Sequence, residues 1–423
     1  MHDLRLVREQ LDVLRDGFAR RGALDTLGPL LDRLEALEKE RRALITATEE
    51  RKARRNLLTQ EVARLKKAQA DAEGVMAGAR AVGEEIARLE ADLRATEGAV
   101  EGLMLELPNV TRPEVPAGDE TRNAVVSTWG TPRADTVRPH WEVAAEHGLL
   151  DLPRGAKISG SGFIVYRGLG ARLVRKLIDF MLDVHTREHG YEETWVPLVV
   201  NHASMVGTGQ FPKFEEDMYG LLHDEGYLVP TAEVPVTNLY RDEILDAGEV
   251  PRGFCAFSAC FRREAGAAGK DTRGLLRVHQ FDKVELVRYA RPEESDAELE
   301  ALTRHAETIL ERLELPYRRL LLAAGDTGFS SAKTYDLEVW APGVGKWLEV
   351  SSCSNFGDFQ ARRANIRWRP AAGEKPRFVH TLNGSGLALP RVIAALLEHG
   401  QQPDGSVRLP AALVPYLGTD RIG

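Results

Sequence analysis

The chain has 423 residues, 28% of them charged, and a formal net charge of −8 at pH 7; it is longer than the ~100–200 residues of one ordinary domain. No apolar run approaches the ~18 residues a bilayer span needs, and the N-terminal MHDLRLVREQLDVLRDGF has no apolar leader core, so no membrane role and a cytoplasmic location are expected. Three cysteines, Cys255, Cys260 and Cys353, are too scattered for a disulfide framework or zinc site; reduced thiols and no zinc are expected, and an acidic chain binds nucleic acid only through a local basic surface.

In chain order, the first element is a long-helix segment. Leu30, Leu34, Leu37, Arg41, Leu44, Thr48, Arg51, Arg55, Leu58, Val62 and Leu65 step alternately by four and three, the spacing of a coiled-coil seam. After a break over 68–74 the pattern resumes at Val75 and runs through Val82, Ile86, Thr96 and Val100 to Leu107. So short a break folds the helices back as an antiparallel hairpin, an arm of roughly 50–60 Å at ~1.5 Å per residue. Arg41, Arg51, Arg54, Arg55, Arg64 and Lys66 all fall in the first helix. A solvated, salt-bridged surface is the plainer explanation of such a run. Yet arginine on a seam forgoes the stability of leucine, which points to an anion such as a phosphate backbone.

Residues 108–139 are rich in proline, glycine and turn formers, from PNVTRPEVPAGDETRN onward, and read as a linker. From His140 the chain alternates strand-like runs (FIVYR, ETWVPLVV, GYLVP, FCAFSACFR, KVELVRY, YDLEVW, KWLEVSS) with helical stretches at Gly168 to Gly190 and Glu293 to Leu313. Several neighbouring strands lack the crossover helix of a parallel sheet, so the expected class is α+β with an antiparallel sheet. The expected domains are 1–107, the linker 108–139, and 140–423.

The segment Phe257 to Val287, FSACFRREAGAAGKDTRGLLRVHQFDKVELV, sets two strand-like runs around a loop holding Gly266, Gly269 and Gly274 among Arg262, Arg263, Lys270 and Arg273. This is a basic flap suited to a polyphosphate, or simply a charged hairpin loop; composition leaves both open. Neither GxxxxGK[ST] nor a GxGxxG after a strand occurs, which disfavours phosphate-loop and dinucleotide folds.

FRREAGAAGKDTRGLLRVHQF resembles motif 2 of class II aminoacyl-tRNA synthetases, and of the seryl-tRNA synthetase family in particular. TAEVPVTNLY, WLEVSSCSNFGDFQARR and HTLNGSGLALPRVIAALLE resemble further family segments in the family's order, and YEETWVPLVV resembles motif 1. With the arm in front, the resemblance covers essentially the whole chain. It implies an antiparallel catalytic sheet with flanking helices, a homodimer formed around Pro197, and activation of L-serine by ATP before transfer to tRNA(Ser), with tRNA(Sec) as a further acceptor.

The resemblance also implies site residues. Serine is expected on Thr231, Ala232, Glu233, Arg262, Glu285, Asn383 and Ser385. ATP is expected on Arg262, Arg263, Glu264, Val278, Phe281, Glu349, Val350, Ser351, Ser352 and Arg391. Arg262, Glu349 and Arg391 are the expected catalytic groups. Glu349 and Ser352 supply oxygen ligands for a Mg²⁺ carried with ATP, and Arg41, Arg51, Arg54, Arg55, Arg64 and Lys66 face the tRNA. Competing expectations are an amino acid:carrier-protein ligase, against which the intact arm counts, a catalytically silent coiled-coil module, and a specialised or antibiotic-resistant second copy.

Overall fold

The computed structural model describes residues 1–264 and 273–423; Gly266, Gly269 and Lys270 of the flap lie outside the described residues. The chain forms two compact units, His2–Leu107 and Pro108–Gly423 with Met1. In the first, helices α1 (Leu4–Glu9) and α2 (Leu11–Arg20) precede α3 (Leu24–Lys67) and α4 (Glu73–Glu106). The 44 residues of α3 and 34 of α4 correspond to about 66 and 51 Å. They pack along each other as the expected hairpin.

The seam is buried on α4 at Val82, Ile86, Thr96, Val100 and Leu103. On α3 it differs near the root: Leu31, Leu34 and Glu38 are buried, whereas Leu30 and Leu37 are only half-buried. Helices α1 and α2 also pack on α3 there and cover a second face, which widens the apolar stripe beyond the coiled-coil register. Buried positions on α3 end at Thr48, whose hydroxyl donates to Leu44 O at 2.7 Å.

The second unit is built on an eight-stranded sheet. Its strands in chain order are β1 (Ala124–Trp129), β2 (Glu192–Glu193), β3 (Arg252–Phe261), β4 (Gln280–Ala290), β5 (Tyr317–Leu321), β6 (Lys333–Ala341), β7 (Lys346–Asn355) and β8 (His380–Ala388). Their spatial order is β1-β5-β6-β7-β8-β4-β3-β2. Every pairing is antiparallel except that of the edge strand β2, which runs parallel to β3.

Helices α5 (His140–Glu146), α6 (Gly168–Arg187), α7 (Glu233–Thr237), α8 (Ser295–Arg312), α9 (Phe359–Ala364) and α10 (Leu389–His399) flank the sheet. In α6, Leu173, Leu177, Phe180, Met181 and Val184 recur at helical spacing and form one buried stripe. That stripe joins Leu299, Leu302 and Ile309 of α8 and Val392 and Leu396 of α10 against Val284, Leu286, Leu337 and Leu382 of the sheet. On the opposite face Ala232, Val236, Phe254, Val287, Tyr289 and Trp368 form a second core. Strand β4 is thus covered on both sides, with Val284 and Leu286 in the first core and Val287 and Tyr289 in the second.

Three expectations need correction. FIVYR is not a ladder strand: Tyr166 makes an isolated bridge to Leu150, flanked by Gly162 and Gly168, both at positive φ, which turn the chain away. ETWVPLVV is split into β2 and a short strand Val199–Asn201, because Pro197 has no N–H for a ladder. Segment 108–139 packs within the second unit: Asn109 N and Arg112 N donate to Phe329 O and Ala332 O at 2.8 and 2.9 Å, and the segment supplies β1. Proline and glycine punctuate it without freeing it.

Candidate active site

The strands bring the functional side chains together by their alternation. Phe281, Lys283 and Glu285 fall on one face of β4. Next to them β8 sets Ser385 opposite Glu285 and Asn383 opposite Val287. On β7, Glu349 and Ser352 are three apart and would point to opposite faces of a regular strand. A register shift between Glu349 and Ser351 turns both towards the same cavity. Arg262 follows the end of β3, and Arg391 lies in the first turn of α10, which Pro390 opens.

Phe281, Lys283, Asn383, Ser385, Glu349, Ser352, Arg262 and Arg391 line a cavity of about 660 Å³. Its buried wall is a continuous polar network. Thr231 Oγ1 donates to Glu285 Oε2 at 3.1 Å, and Asn383 Nδ2 donates to Glu285 Oε1 at 2.9 Å and to Glu233 Oε2 at 3.0 Å. Gln360 Nε2 donates to Glu233 Oε1 at 2.7 Å, while Thr381 Oγ1 donates to Gln360 Oε1 at 2.7 Å. Lys283 forms an ion pair with Glu285. Burial, then the neighbouring Glu285 charge, pushes the Glu233 carboxyl up to about 7.

Beside this network lies a cationic, aromatic ledge. The Arg262 guanidinium sits over the Phe281 ring, 5.2 Å from its centroid, and its Nε donates to Pro230 O at 3.3 Å. The Arg262 backbone is fixed by His279, whose carbonyl accepts Arg262 N–H at 2.9 Å. Glu264 pairs with Arg277 and holds a left-handed φ of 51°, uncommon for a residue with a Cβ. Arg391 is tethered by Leu276 O at 3.1 Å and Glu349 O at 2.8 Å, with Glu349 Oε2 at 3.4 Å.

Most expected site residues meet here: Thr231, Glu233, Arg262, Glu264, Val278, Phe281, Glu349, Val350, Ser352, Asn383, Ser385 and Arg391 line the cavity. Glu285 and Ala232 are buried behind it. Two ATP expectations fare differently. Arg263 is exposed, its backbone N–H donating to Asp217 O at 2.9 Å, and Ser351 turns inward, its hydroxyl donating to Ser385 O at 2.6 Å.

Sequence reasoning passed over Lys283, Gln360, Arg277 and Asp336. Lys283 was findable, since it lies between Phe281 and Glu285 in the same period-two register. Asp336 was not: it faces Ser352 only through the β6–β7 register. Burial and the Glu349 charge hold its carboxyl well above the carboxylate range, and its Oδ1 has no hydrogen-bond partner among the described residues.

On the arm, Arg41 is engaged by Glu38 and Glu97, Arg51 by Glu85 and Arg64 by Glu61. Arg54, Arg55 and Lys66 are exposed.

An antiparallel sheet whose strand–loop–strand hairpin carries an arginine over an aromatic ring, facing a carboxylate–hydroxyl strand and a basic helix start, defines the core of a class II aminoacyl-tRNA synthetase. Residues 215–400 match the family model of the tRNA synthetase class II core domain (G, H, P, S and T), and residues 1–111 that of the seryl-tRNA synthetase N-terminal domain. The chain is 71% identical to the serine–tRNA ligase of Gemmatimonas aurantiaca, over 99% of each chain, and 54% identical to that of Geobacillus kaustophilus, again over 99% of each. The crystal structure of seryl-tRNA synthetase from Pyrococcus horikoshii complexed with ATP superposes with a TM-score of 0.95 at 36% identity, covering 100% of this chain and 99% of that one. The chain belongs to the seryl-tRNA synthetases. It activates serine with ATP and charges tRNA with it.

Proposed function

We propose that the carboxylate network and the arginine ledge divide the two small substrates between them. Serine lies against Thr231, Glu233 and Glu285, its ammonium facing Glu233 and its hydroxyl facing Glu285, with Asn383 and Ser385 closing around it. ATP lies along Arg262, Glu264, Val278 and Phe281, its base against the Phe281 ring, and its terminal phosphate towards Arg391. The observation that carries this reading is a cavity lined by Arg262 and the buried Glu233, with Glu285 joined to Glu233 through Asn383 directly behind the wall.

The serine carboxylate is already ionised at neutral pH and needs no base. One of its oxygens attacks the α-phosphorus, the bond to the bridging oxygen breaks, and pyrophosphate departs with that electron pair. Arg262 aligns the carboxylate with the phosphate and neutralises their combined charge. A hydroxyl held by buried partners also rejects alanine, which would leave those partners unpaired.

Mg²⁺ fits the donor set. Glu349 and Ser352 offer hard oxygens on one side of the cavity, and among the described residues no group of three or more His, Cys, Asp or Glu could hold a metal by itself. Such a pair suits an ion that arrives with substrate phosphates filling much of its shell. When bound, Mg²⁺ neutralises phosphate charge.

The arm would bind tRNA(Ser) by backbone and shape through Arg54, Arg55 and Lys66, with tRNA(Sec) as a further acceptor. Among the described residues no helix is long and apolar enough to cross a membrane, and a cytoplasmic location suits the charging reaction. Homodimerisation is supported by the open edge at β2, where Trp195 is 80% exposed beside exposed Leu198 and Val199.

The deciding experiment is serine-dependent pyrophosphate exchange by Arg262→Ala. The exchange rate is expected to fall by about 10²–10³-fold, as when one charge-stabilising donor is lost, with melting unchanged. Near-normal exchange would overturn the assignment.

A further inference from the structure

We propose that Lys283 is a positioning residue for serine selection: its ammonium clamps the Glu285 carboxylate in the orientation and charge state in which that carboxylate accepts the substrate hydroxyl. The proposal rests on the reading above that Glu285 faces the serine side chain.

Lysine is almost never buried without a paired charge, and here the Lys283 side chain is 7% exposed, ion-paired with a Glu285 side chain that is 0% exposed. Three donors converge on Glu285: Asn383 on Oε1, Thr231 and Lys283 on Oε2. A carboxylate so held has little rotational freedom and one direction left in which to accept. Asn383 spends its second N–H on Glu233, so a single amide joins two buried carboxylates. Two such groups do not both stay ionised in a desolvated site unless a cation offsets them.

The titratable and charged groups around Lys283 are Glu285 on its own strand, Glu233 on α7, Cys260 on β3 and Arg262 just beyond β3. Burial pushes the Cys260 thiol up, away from the thiolate, so it adds no charge. Arg262 is turned to Pro230 O and the Phe281 ring and is committed to the phosphate and carboxylate of the activation step. Lys283 is therefore the cation that serves the carboxylate pair. Without it, no cation offsets the carboxylate pair, and the pair holds a proton more tightly. Glu285 also loses the contact that fixes its accepting oxygen towards the serine hydroxyl, and the contrast with alanine weakens.

The test is pyrophosphate exchange between pH 6 and 9 by the full chain and by Lys283→Met, Lys283→Arg and Glu285→Gln, with serine and alanine as substrates. For Lys283→Met, KM for serine should rise about tenfold at pH 7 with KM for ATP unchanged, a split that a merely structural defect would not produce. The acid limb of its serine kcat/KM profile should move up by about one pH unit or more, and the serine-to-alanine preference should shrink by about tenfold. Lys283→Arg should recover most of both. If Lys283→Met does not fold by circular dichroism, Lys283→Gln carries the same comparison. Wild-type KM and pH profile in the uncharged variant would overturn the proposal. A Glu285→Gln variant with wild-type serine KM would instead overturn the underlying reading of Glu285, so the two failures are distinguishable.

Discussion

Glu233 is a carboxylate whose environment works against its charge. Its pKa of about 7 lies above the ordinary glutamate value of 4.5, through burial first and Glu285 second. The folded protein therefore holds this proton more tightly than the unfolded chain. The resulting stability cost is absent below the ordinary value, grows through the interval and is complete above about pH 7. The serine pose proposed above has the opposite interest, because the ammonium attracts only the ionised form. KM for serine is expected to fall about tenfold as pH rises from 6 to 8, following one ionisation near 7, and Glu233→Gln should show a higher KM that no longer depends on pH in that interval. A flat wild-type profile would refute this. At this scale the sequence was informative where a motif fixed the residue, as for Arg262 and Arg391. It was silent where partnership depends on strand register, as for Asp336 beside Ser352 and Gln360 beneath Glu233. No spacing along the chain encodes those encounters.

Among the elements, the hairpin was the most legible, since the four-and-three spacing fixes both helices and, beyond the root where α1 and α2 pack on α3, the face they share. What spacing did not convey is the use of its charges. Arg41 and Arg51 occupy seam positions and are answered by Glu97 and Glu85 of α4, which gives the hairpin register a structural reason for them. Exposed pairs contribute little stability, and the RNA contacts proposed above are the basic residues left facing water. Arg54→Ala/Arg55→Ala should raise KM for tRNA(Ser) by about tenfold or more at low salt and leave pyrophosphate exchange unchanged, with the difference from wild type shrinking as salt screens the phosphates. Equal effects in both half-reactions would remove the arm from tRNA binding. In the sheet, the short motif-rich strands were misjudged for a related reason: FIVYR has strand composition, but the glycines beside it decide its path.

At the scale of the whole chain, the antiparallel architecture followed from strands too closely spaced for crossover helices, whereas the incorporation of 108–139 into the second unit did not, because β1 is short, exposed along its length and set between stretches of proline, glycine and turn formers. The homodimer proposed above rests on the exposed edge at Trp195. Trp195→Glu should shift the protein from dimer to monomer in light scattering and lower charging activity with it; an unchanged mass would exclude this edge from the interface.

Burial also thins along the arm. None of the buried positions of α3 lies beyond Thr48, and none on α4 precedes Val82. Opening free energies follow local burial, so the hairpin has a graded compliance: a stiff root, and distal turns that fray and re-form at small cost. An RNA helix of imperfect shape can then be followed by bending a few terminal turns, and the strain of that fit is absorbed before it reaches the leucines at the root.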